Sequence, residues 1–241
     1  MPVAIITGAS KGLGRALAAA LAGRGWDLVV DARSAGPLEE AARELRARGA
    51  RVVALPGDVA DGGHRAELVA AARGLGGLDL LVNNASVLGA EPLVRLAEHS
   101  LDGLRAALEV NVVAPLGLVQ EALPLLRAAS GASPYIGAAG AVLAISSDAA
   151  VGAYETWGGY GAAKAALDQQ SAVLAVEEPG LRVWWVDPGD MRTDLFAAAV
   201  PDEDGSGRPL PESVVPALLR LLDGPAASGR YVAAELLDGA R

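Results

Sequence analysis

The chain has 241 residues, of which 52% are hydrophobic, 20% are charged and none is Cys, so a substantial core is available and disulfides, thiolate metal sites and a Cys nucleophile are excluded. The two histidines, His64 and His99, lie far apart in the sequence, which predicts no metal site. The net charge of −9 opposes nucleic-acid binding, and no apolar run is as long as a membrane span, so we expect a cytoplasmic protein that binds neither nucleic acid nor membranes.

Short runs of Val, Ile and Leu alternate along the chain with longer segments rich in Ala, Leu and Arg. The runs are nearly continuous, which is typical of strands that are buried on both faces of a parallel sheet. The alternation predicts an α/β fold that is doubly wound, with a parallel sheet of about seven strands and helices on both faces, in one domain over residues 1–241. The runs are at 3–7, 28–30, 52–55, 78–82, 141–145 and 183–186, and the helical segments are at 13–24, 37–48, 62–73, 101–127 and 161–176.

Two segments between the predicted elements are irregular. Residues 128–139 are rich in Gly, Ala, Ser and Pro, and residues 200–211 read VPDEDGSGRPLP. Neither has the position of a linker between domains, because the strand pattern resumes after the first, and a helix and a last strand follow the second. We predict loops, of which the second is either a mobile substrate lid or an ordinary surface loop.

A glycine-rich turn, TGASKGLG at residues 7–14, connects the first predicted strand to the first predicted helix. Glycine permits positive φ and lets the backbone approach a ligand, while free N–H groups at a helix N-terminus attract phosphate. The turn therefore predicts a pyrophosphate site. An ordinary turn is the alternative, because the chain contains 30 Gly.

Further motifs follow the turn in a fixed order. They are Asp58-Val59, Asn83-Asn84-Ala85, Asn111, Ser147 with Tyr160 and Lys164, and Pro188-Gly189 with Thr193. Together with the turn they resemble the short-chain dehydrogenase/reductase family over residues 3–195. The resemblance implies a Rossmann fold that binds a nicotinamide dinucleotide. Ser86 departs from the pattern, since the family usually has glycine after Asn-Asn-Ala.

The residues around the adenosine ribose select between NAD and NADP(H). Family members that use NAD usually have an acid at the position of Ala32, and here Arg33 follows instead. Arg33 and Lys11 are able to bind a 2′-phosphate, which predicts NADP(H), although both could also be solvated surface cations. A shift of the strand by one residue would turn Asp31 toward the ribose and favour NAD. The resemblance implies cofactor contacts from Gly8, Ser10, Lys11, Gly12, Leu13, Gly14, Arg33, Asp58, Val59, Asn84, Ala85, Tyr160, Lys164, Pro188, Gly189, Met191 and Thr193.

Tyr160 and Lys164 are the main candidates for catalysis. They are four residues apart on a predicted helix and share one face, so we expect the ammonium, together with oxidised nicotinamide, to lower the pKa of the phenol and make it a usable proton donor. The resemblance implies that Ser147 binds the substrate carbonyl, with Ser146 as the neighbour most easily confused with it. Taken alone, the Tyr-Lys pair would also suit an exposed surface.

Asn111 precedes Pro115 by four residues. Proline has no N–H, so the carbonyl of Asn111 lacks the usual helical partner. The resemblance implies that this carbonyl holds a water in a relay to Lys164, which makes Asn111 the fourth catalytic residue. The alternative is an incidental Asn in a kinked core helix.

Residues 154–160 and 174–183 resemble the sepiapterin reductase and benzil reductase branch of the family. This implies reduction of a dicarbonyl or a pterin side-chain ketone. Trp157 either lines the pocket or only packs, and the two acids in the predicted pocket either select a basic or hydroxylated substrate or only cap helices. The predicted substrate pocket consists of Ser86, Leu88, Asp148, Tyr154, Trp157, Asp190 and Phe196.

We therefore predict an NADPH-dependent oxidoreductase that reduces a small-molecule ketone or dicarbonyl by hydride transfer, with Tyr160 as the proton donor. A 3-oxoacyl-thioester reductase of fatty-acid or polyketide biosynthesis is one alternative, and a non-catalytic cofactor-binding interaction protein is another. The apolar helices at 101–127 and 161–176 carry few charges on their outer faces, and family members often pair these helices. We expect a homodimer or homotetramer.

Overall fold

A computed structural model describes residues 1–129 and 140–238 of the chain. Its strands are β1 (Val3–Ile6), β2 (Asp27–Ala32), β3 (Val52–Pro56), β4 (Leu80–Asn83), β5 (Ala141–Ile145), β6 (Arg182–Asp187) and β7 (Gly229–Val232). They form one parallel sheet of seven strands in the order β3-β2-β1-β4-β5-β6-β7. The predicted loop at 128–139 falls almost wholly on residues outside the described ranges.

Helices form the connections between the strands. They are α1 (Gly12–Ala22), α2 (Ala35–Arg46), α3 (Gly62–Leu75), α4 (Leu101–Leu108), α5 (Ala114–Arg127), α6 (Gly158–Glu177), α7 (Asp194–Ala199), α8 (Pro211–Asp223) and α9 (Ala233–Asp238). A π-helical segment, Glu109–Val113, joins α4 to α5, and 3₁₀ turns lie at Asp148–Ala150 and Gly205–Gly207.

Alternate residues of each strand enter opposite hydrophobic cores. Ala4 and Ile6 of β1 belong to the core formed with α1 and α8, whereas Val3 and Ile5 belong to the core formed with α3 and α5. All four side chains are buried. Because both faces of the sheet are covered, the strands read as continuous apolar runs. The predicted doubly wound α/β fold of a single domain is confirmed.

The predicted helix over residues 101–127 is continuous through α4, the π-helical segment and α5. Pro115 lies in the first turn of α5, directly after the segment in which the N–H of Ala114 bonds to the carbonyl of Glu109. Leu101–Arg127 is also long and apolar enough to cross a membrane by length and composition, a test that core helices pass as well. Part of this helix, including Leu118, is buried in the core. That the protein binds no membrane stays a prediction.

The order in which successive strands are added to the sheet changes direction between β1 and β4. The chain runs from β1 outward to β3, and then returns to place β4 against the other side of β1. The loops that follow β1 and β4 therefore diverge and leave a crevice at the carboxyl ends of the strands, where ligands of such sheets bind. The glycine turn and Asn84 lie at this crevice.

Candidate active site

A cleft of about 1000 Å³ extends along the carboxyl ends of the strands. The structure brings most of the predicted site residues into its lining, from the glycine turn and Arg33 to Ser147, Tyr160 and Lys164. Three predicted residues are not in the lining, namely Gly14, Asn111 and Tyr154. The residues in the lining are Gly8, Ser10, Lys11, Gly12, Leu13, Arg33, Asp58, Val59, Asn84, Ala85, Ser86, Leu88, Ser147, Asp148, Trp157, Tyr160, Lys164, Pro188, Gly189, Asp190, Met191, Thr193 and Phe196.

The glycine turn is braced from β4. The side chain of Asn84 donates to the carbonyl of Thr7 at 2.7 Å, and the Thr7 hydroxyl accepts from the backbone N–H groups of Asn84 and Ala85 at 2.9 and 3.0 Å. Helix α1 begins at Gly12, and its N-cap, Lys11, makes no side-chain capping bond. The first turn of α1 therefore presents uncapped backbone N–H groups beside a cleft, which fits the pyrophosphate of a dinucleotide.

Asp31 supports the glycine turn from inside the protein. One carboxylate oxygen accepts from the N–H of Gly8 at 2.8 Å, and the other lies 3.1 Å from Nε2 of His64. Gly8 has a φ of 65°, a conformation that favours glycine. Asp31 lies in the cleft lining but is buried, and both of its oxygens have partners within the protein. That it faces the ribose and favours NAD stays an alternative prediction.

His64 is a site residue that sequence reasoning missed. It is buried, and its hydrogen bond to Asp31 is the main cause that raises the pKa of the imidazole. The sequence separates these two residues by a strand and a helix, so only the packing of α3 against β2 brings them together. No local signal in the sequence predicts the pair.

The end of the cleft at which the resemblance implies adenosine contains more cations than the sequence predicted. Arg33 lines it, and so do Arg15 and Arg48. Lys11 makes an exposed ion pair with Asp194 of α7 at 2.7 Å, so it connects the glycine turn to the opposite wall. Arg15 and Arg48 were missed because they reach the cleft from α1 and from the end of α2, outside the family motifs.

The predicted catalytic residues line the same cleft. Tyr160 and Lys164 of α6 are buried, and Nζ of Lys164 donates to the carbonyl of Ile145 at 2.7 Å while lying 5.4 Å from the centre of the Tyr160 ring. Ser147 follows β5, and its hydroxyl donates to Asp148 at 3.0 Å and accepts from the N–H of Ala149 at 3.1 Å. A hydroxyl, a phenol and an ammonium therefore share one cleft wall.

Burial is the main cause of the pKa shifts of both Tyr160 and Lys164. It raises the pKa of Tyr160 to about 12 and lowers the pKa of Lys164 to about 8. The lowered phenol pKa expected from the sequence is therefore wrong for the protein alone. The reason is that the phenol is almost fully desolvated, while the ammonium is bound to the Ile145 carbonyl.

Asn111 acts through its side chain on the segment that follows β4. It is buried in the π-helical segment, where its amide donates to the carbonyl of Val87 at 2.8 Å and accepts from the N–H of Val87 at 3.0 Å. This fixes the backbone next to Ser86 and Leu88, which line the cleft. A role of the Asn111 carbonyl in proton relay stays a prediction.

The predicted substrate pocket is an apolar wall around Tyr160. The rings of Trp157 and Tyr160 are 5.7 Å apart in an edge-to-face arrangement, so Trp157 both packs and lines the cleft. Phe196 lies opposite in the lining, with the guanidinium of Arg208 3.8 Å from its ring centre. Arg208 belongs to the predicted loop at 200–211, and a lid movement of this loop stays a prediction.

Tyr154 is a correction to the predicted pocket. It is half exposed and lies outside the cleft lining, because its ring covers the backbone of Gly152. The carboxylate of Asp148 favours the protonated form of this phenol and raises its pKa. Tyr154 therefore touches a pocket residue without facing the pocket.

The described ranges contain no cluster of side chains suited to binding a metal ion. Within 1–129 and 140–238, no group of three or more His, Asp or Glu side chains is placed to hold a metal ion.

Comparison with known proteins gives matches over most of the chain. A model of the short chain dehydrogenase family matches residues 2–204. Sepiapterin reductase of Mus musculus is 35% identical over 203 residues, which cover 80% of this chain and 76% of that protein. Hydroxyacyl-CoA dehydrogenase ChsB1 of Mycobacterium tuberculosis is 33% identical over 240 residues, which cover 94% of this chain and 74% of that protein.

Among solved structures, the alcohol dehydrogenase of the archaeon Thermococcus sibiricus complexed with 5-hydroxy-NADP has a TM-score of 0.83 at 28% identity, and the match covers 96% of this chain and 95% of that chain. The family resemblance predicted from the motifs is therefore confirmed.

Proposed function

The chain belongs to the short-chain dehydrogenase family of oxidoreductases, and we propose that it is an NADPH-dependent reductase that converts a ketone or a dicarbonyl to an alcohol. The observation that carries the proposal is the shared cleft. Ser147 and Tyr160 line the same cavity as the glycine turn, so a carbonyl next to the hydroxyl and the phenol would also lie next to a dinucleotide.

The chain's own residues supply the proton and orient the substrate. The Ser147 hydroxyl, which donates to Asp148 in this structure, would turn that hydrogen bond to the carbonyl oxygen of the substrate and hold it toward Tyr160. Because burial raises the pKa of Tyr160 to about 12, the phenol is protonated at neutral pH, which is the state a proton donor needs. Lys164 stabilises the phenolate that forms when the proton moves to the oxygen, and solvent then reprotonates Tyr160.

A reduced nicotinamide, when bound, supplies the hydride to the carbonyl carbon. Ser10, Gly12 and Leu13 would hold its pyrophosphate at the start of α1, and Asp58 and Val59 would lie beside its adenine. Thr193 and Met191 would lie beside the nicotinamide, on the opposite wall of the cleft.

The preference for NADPH over NADH is supported by charge. Arg33 and Arg48 line the adenosine end, where a 2′-phosphate would need cations. Asp31, the nearby acid, is buried and directed at the N–H of Gly8 and the ring of His64, whereas Arg33 is exposed. The Thermococcus sibiricus structure, which is similar over nearly the whole chain, was determined with a 5-hydroxy-NADP ligand.

The substrate class is supported by the apolar wall and by sequence similarity. Leu88, Trp157 and Phe196 would pack against a flat aromatic or pterin-like ring. The similarity to mouse sepiapterin reductase points to the same class.

A 3-oxoacyl thioester is the second candidate substrate. The similarity to a hydroxyacyl-CoA dehydrogenase, which covers 94% of this chain, favours it. The two candidates differ in what must fit the cleft, since a thioester carries a long polar arm and a diketone does not.

Oxidation of NADPH against a panel of carbonyls tests the proposal. We expect turnover of benzil, a sepiapterin-like pterin or an aromatic ketone, and weaker turnover of an acetoacetyl thioester. Tyr160→Phe should lower kcat by about 10²- to 10⁴-fold, the usual contribution of general acid catalysis, while fluorescence titration shows unchanged NADPH binding.

Tyr231→Phe is the matched control, because that phenol donates to the carbonyl of Ala227 and lies outside the cleft lining. Preference for the thioester would support the second candidate. Full turnover by Tyr160→Phe would contradict the assignment of the proton donor.

A further inference from the structure

We propose that Asp168 and Arg230 are positioning residues for this reaction: they fix the Ser146–Ser147 segment so that the Ser147 hydroxyl serves the cleft, and Asp168 keeps the buried Lys164 ammonium charged. The inference rests on the proposed function, because it assigns roles to residues that act through its catalytic group. Neither residue belongs to the motifs on which the family resemblance was based.

Four elements meet at this cluster. Asp168 is on α6, and one of its carboxylate oxygens accepts from Nε of Arg230 on β7 at 3.1 Å. Its other oxygen accepts from the hydroxyl of Ser146 after β5. Arg230 also lies 3.9 Å from Asp187 at the end of β6. The side chains of Asp168 and Arg230 are 12% and 24% exposed, so the pair is mostly shielded from water.

The cluster distinguishes two adjacent serines. Ser146 is buried, and its hydroxyl is bonded to Asp168, so it is not available to a substrate. The carbonyl of Ser147 accepts from Nη2 of Arg230 at 3.0 Å, which fixes the peptide that carries the Ser147 side chain. While Arg230 holds the backbone carbonyl of Ser147, the Ser147 hydroxyl lies beside Asp148 in the cleft lining.

Asp168 also acts on Lys164 through charge. The two residues are four positions apart on α6 and therefore share a face. Burial lowers the pKa of Lys164, and the negative charge of Asp168 opposes that effect. Without Asp168, a larger fraction of Lys164 would be neutral near neutral pH, and a neutral amine stabilises a phenolate poorly.

Other charged groups face this part of α6 from the elements packed against it. Tyr160 is on the same helix, Asp148 is in the 3₁₀ turn that packs against α6, and Asp187 and Arg230 come from β6 and β7. On the side of α4 and the π-helical segment, the contact is apolar and consists of Ala107 and Val112 against Ala163. Of these acids, Asp168 is the one on α6 itself, one helical turn after Lys164.

The chain offers a direct measurement of the Lys164 charge, because Lys11 and Lys164 are its two lysines. We would label lysine with carbon-13 at Cε and follow both signals by NMR against pH. In Asp168→Asn we expect the Lys164 midpoint to move down by about 1 pH unit, because the nearby opposite charge is removed. The exposed Lys11 signal should not move, and Asp168→Glu should restore the wild-type midpoint.

Arg230→Gln is the second variant, and it keeps the test decisive if Asp168→Asn does not fold. With its cation partner removed, Asp168 should act more strongly on Lys164, so the Lys164 midpoint should move up. In the kinetics of an accepted carbonyl, both variants should lower kcat more than they raise the KM for NADPH, and the alkaline limb of the Asp168→Asn profile should move to lower pH.

The Arg51 pair is the matched structural control. Arg51 binds the fully buried Asp27 at the amino end of β2, away from the cleft, so Arg51→Gln should lower stability without moving the Lys164 midpoint. An unchanged Lys164 midpoint in Asp168→Asn, or a downward shift in Arg230→Gln, would overturn the inference. Because the NMR titration needs no substrate, failure to find a reducible carbonyl would count against the proposed function alone.

Discussion

Asp31 and Arg33, the two residues that flank Ala32 at the end of β2, have different roles. Asp31 is buried and binds the N–H of Gly8 and the ring of His64, so its charge serves the shape of the glycine turn. Arg33 is exposed and lines the adenosine end of the cleft. The register of β2 therefore decides whether the acid or the arginine is exposed to a cofactor in the cleft.

The Arg33 side chain gives the first prediction at the residue scale. Arg33→Asp should lower kcat/KM for NADPH relative to NADH by about 10- to 100-fold, since a charge-assisted hydrogen bond is lost and a carboxylate repels the 2′-phosphate. Steady-state kinetics with both cofactors measure the ratio. Arg43→Asp in α2 is the control, because Arg43 is exposed and lies outside the cleft lining. An unchanged ratio in Arg33→Asp would show that other residues select the cofactor.

At the scale of elements, the approach of α1 to the loop after β4 forms the dinucleotide end of the cleft. Gly14 of α1 faces the glycine turn and Asn84, although it does not line the cavity. A Cβ at Gly14 would lie 2.5 Å from Nδ2 of Asn84 and 2.6 Å from the carbonyl oxygen of Gly8. The helix can therefore pack this closely only without a side chain at that position.

Gly14→Ala should consequently separate α1 from the turn. We expect a loss of about 1–3 kcal/mol in the free energy of unfolding, which is typical of overpacking, measured by urea denaturation. NADPH affinity measured by fluorescence should fall as well, because the turn is displaced. Gly36→Ala in α2 is the control: a Cβ there meets nothing within 4 Å, so stability should stay the same or rise. Equal stability of the two variants would refute the close-packing argument.

At the scale of the whole molecule, several large apolar side chains are exposed on α4, the π-helical segment, α5 and α6. Leu101, Val113 and Leu116 are exposed along α4, the π-helical segment and α5, and Val173 and Val176 are exposed on α6. An exposed apolar surface of this kind is typical of an interface between subunits. With a net charge of −9, association of two copies would require an apolar contact of this kind to offset their repulsion.

We therefore propose a homodimer or homotetramer that uses these helices, and sedimentation at micromolar concentration tests it. The double variant Leu116→Glu, Val173→Glu should sediment as a smaller species, because charges in an apolar interface are desolvated without partners. Val151→Glu, at an exposed position outside these helices, should leave the assembly unchanged. A wild-type monomer would contradict the proposal.

The sequence alone determined the fold class and the main members of the candidate site. Tyr160 and Lys164 were identified through the family resemblance, because their helical spacing alone would also suit an exposed pair. Continuous apolar runs report burial on both faces, which is a local property. The glycine turn is likewise read from neighbouring residues, because φ and helix capping are set within a few positions. For these features, short-range geometry is sufficient.

Only the tertiary structure decided which distant side chains meet and how well they are solvated. It pairs Asp31 with His64, joins Asp168 to Arg230, and takes Tyr154 out of the pocket. It also reverses the expected direction of the Tyr160 pKa, since desolvation depends on everything that packs around the phenol. Contacts between separate elements and burial from water are sums over the whole fold, and no local stretch of sequence contains them.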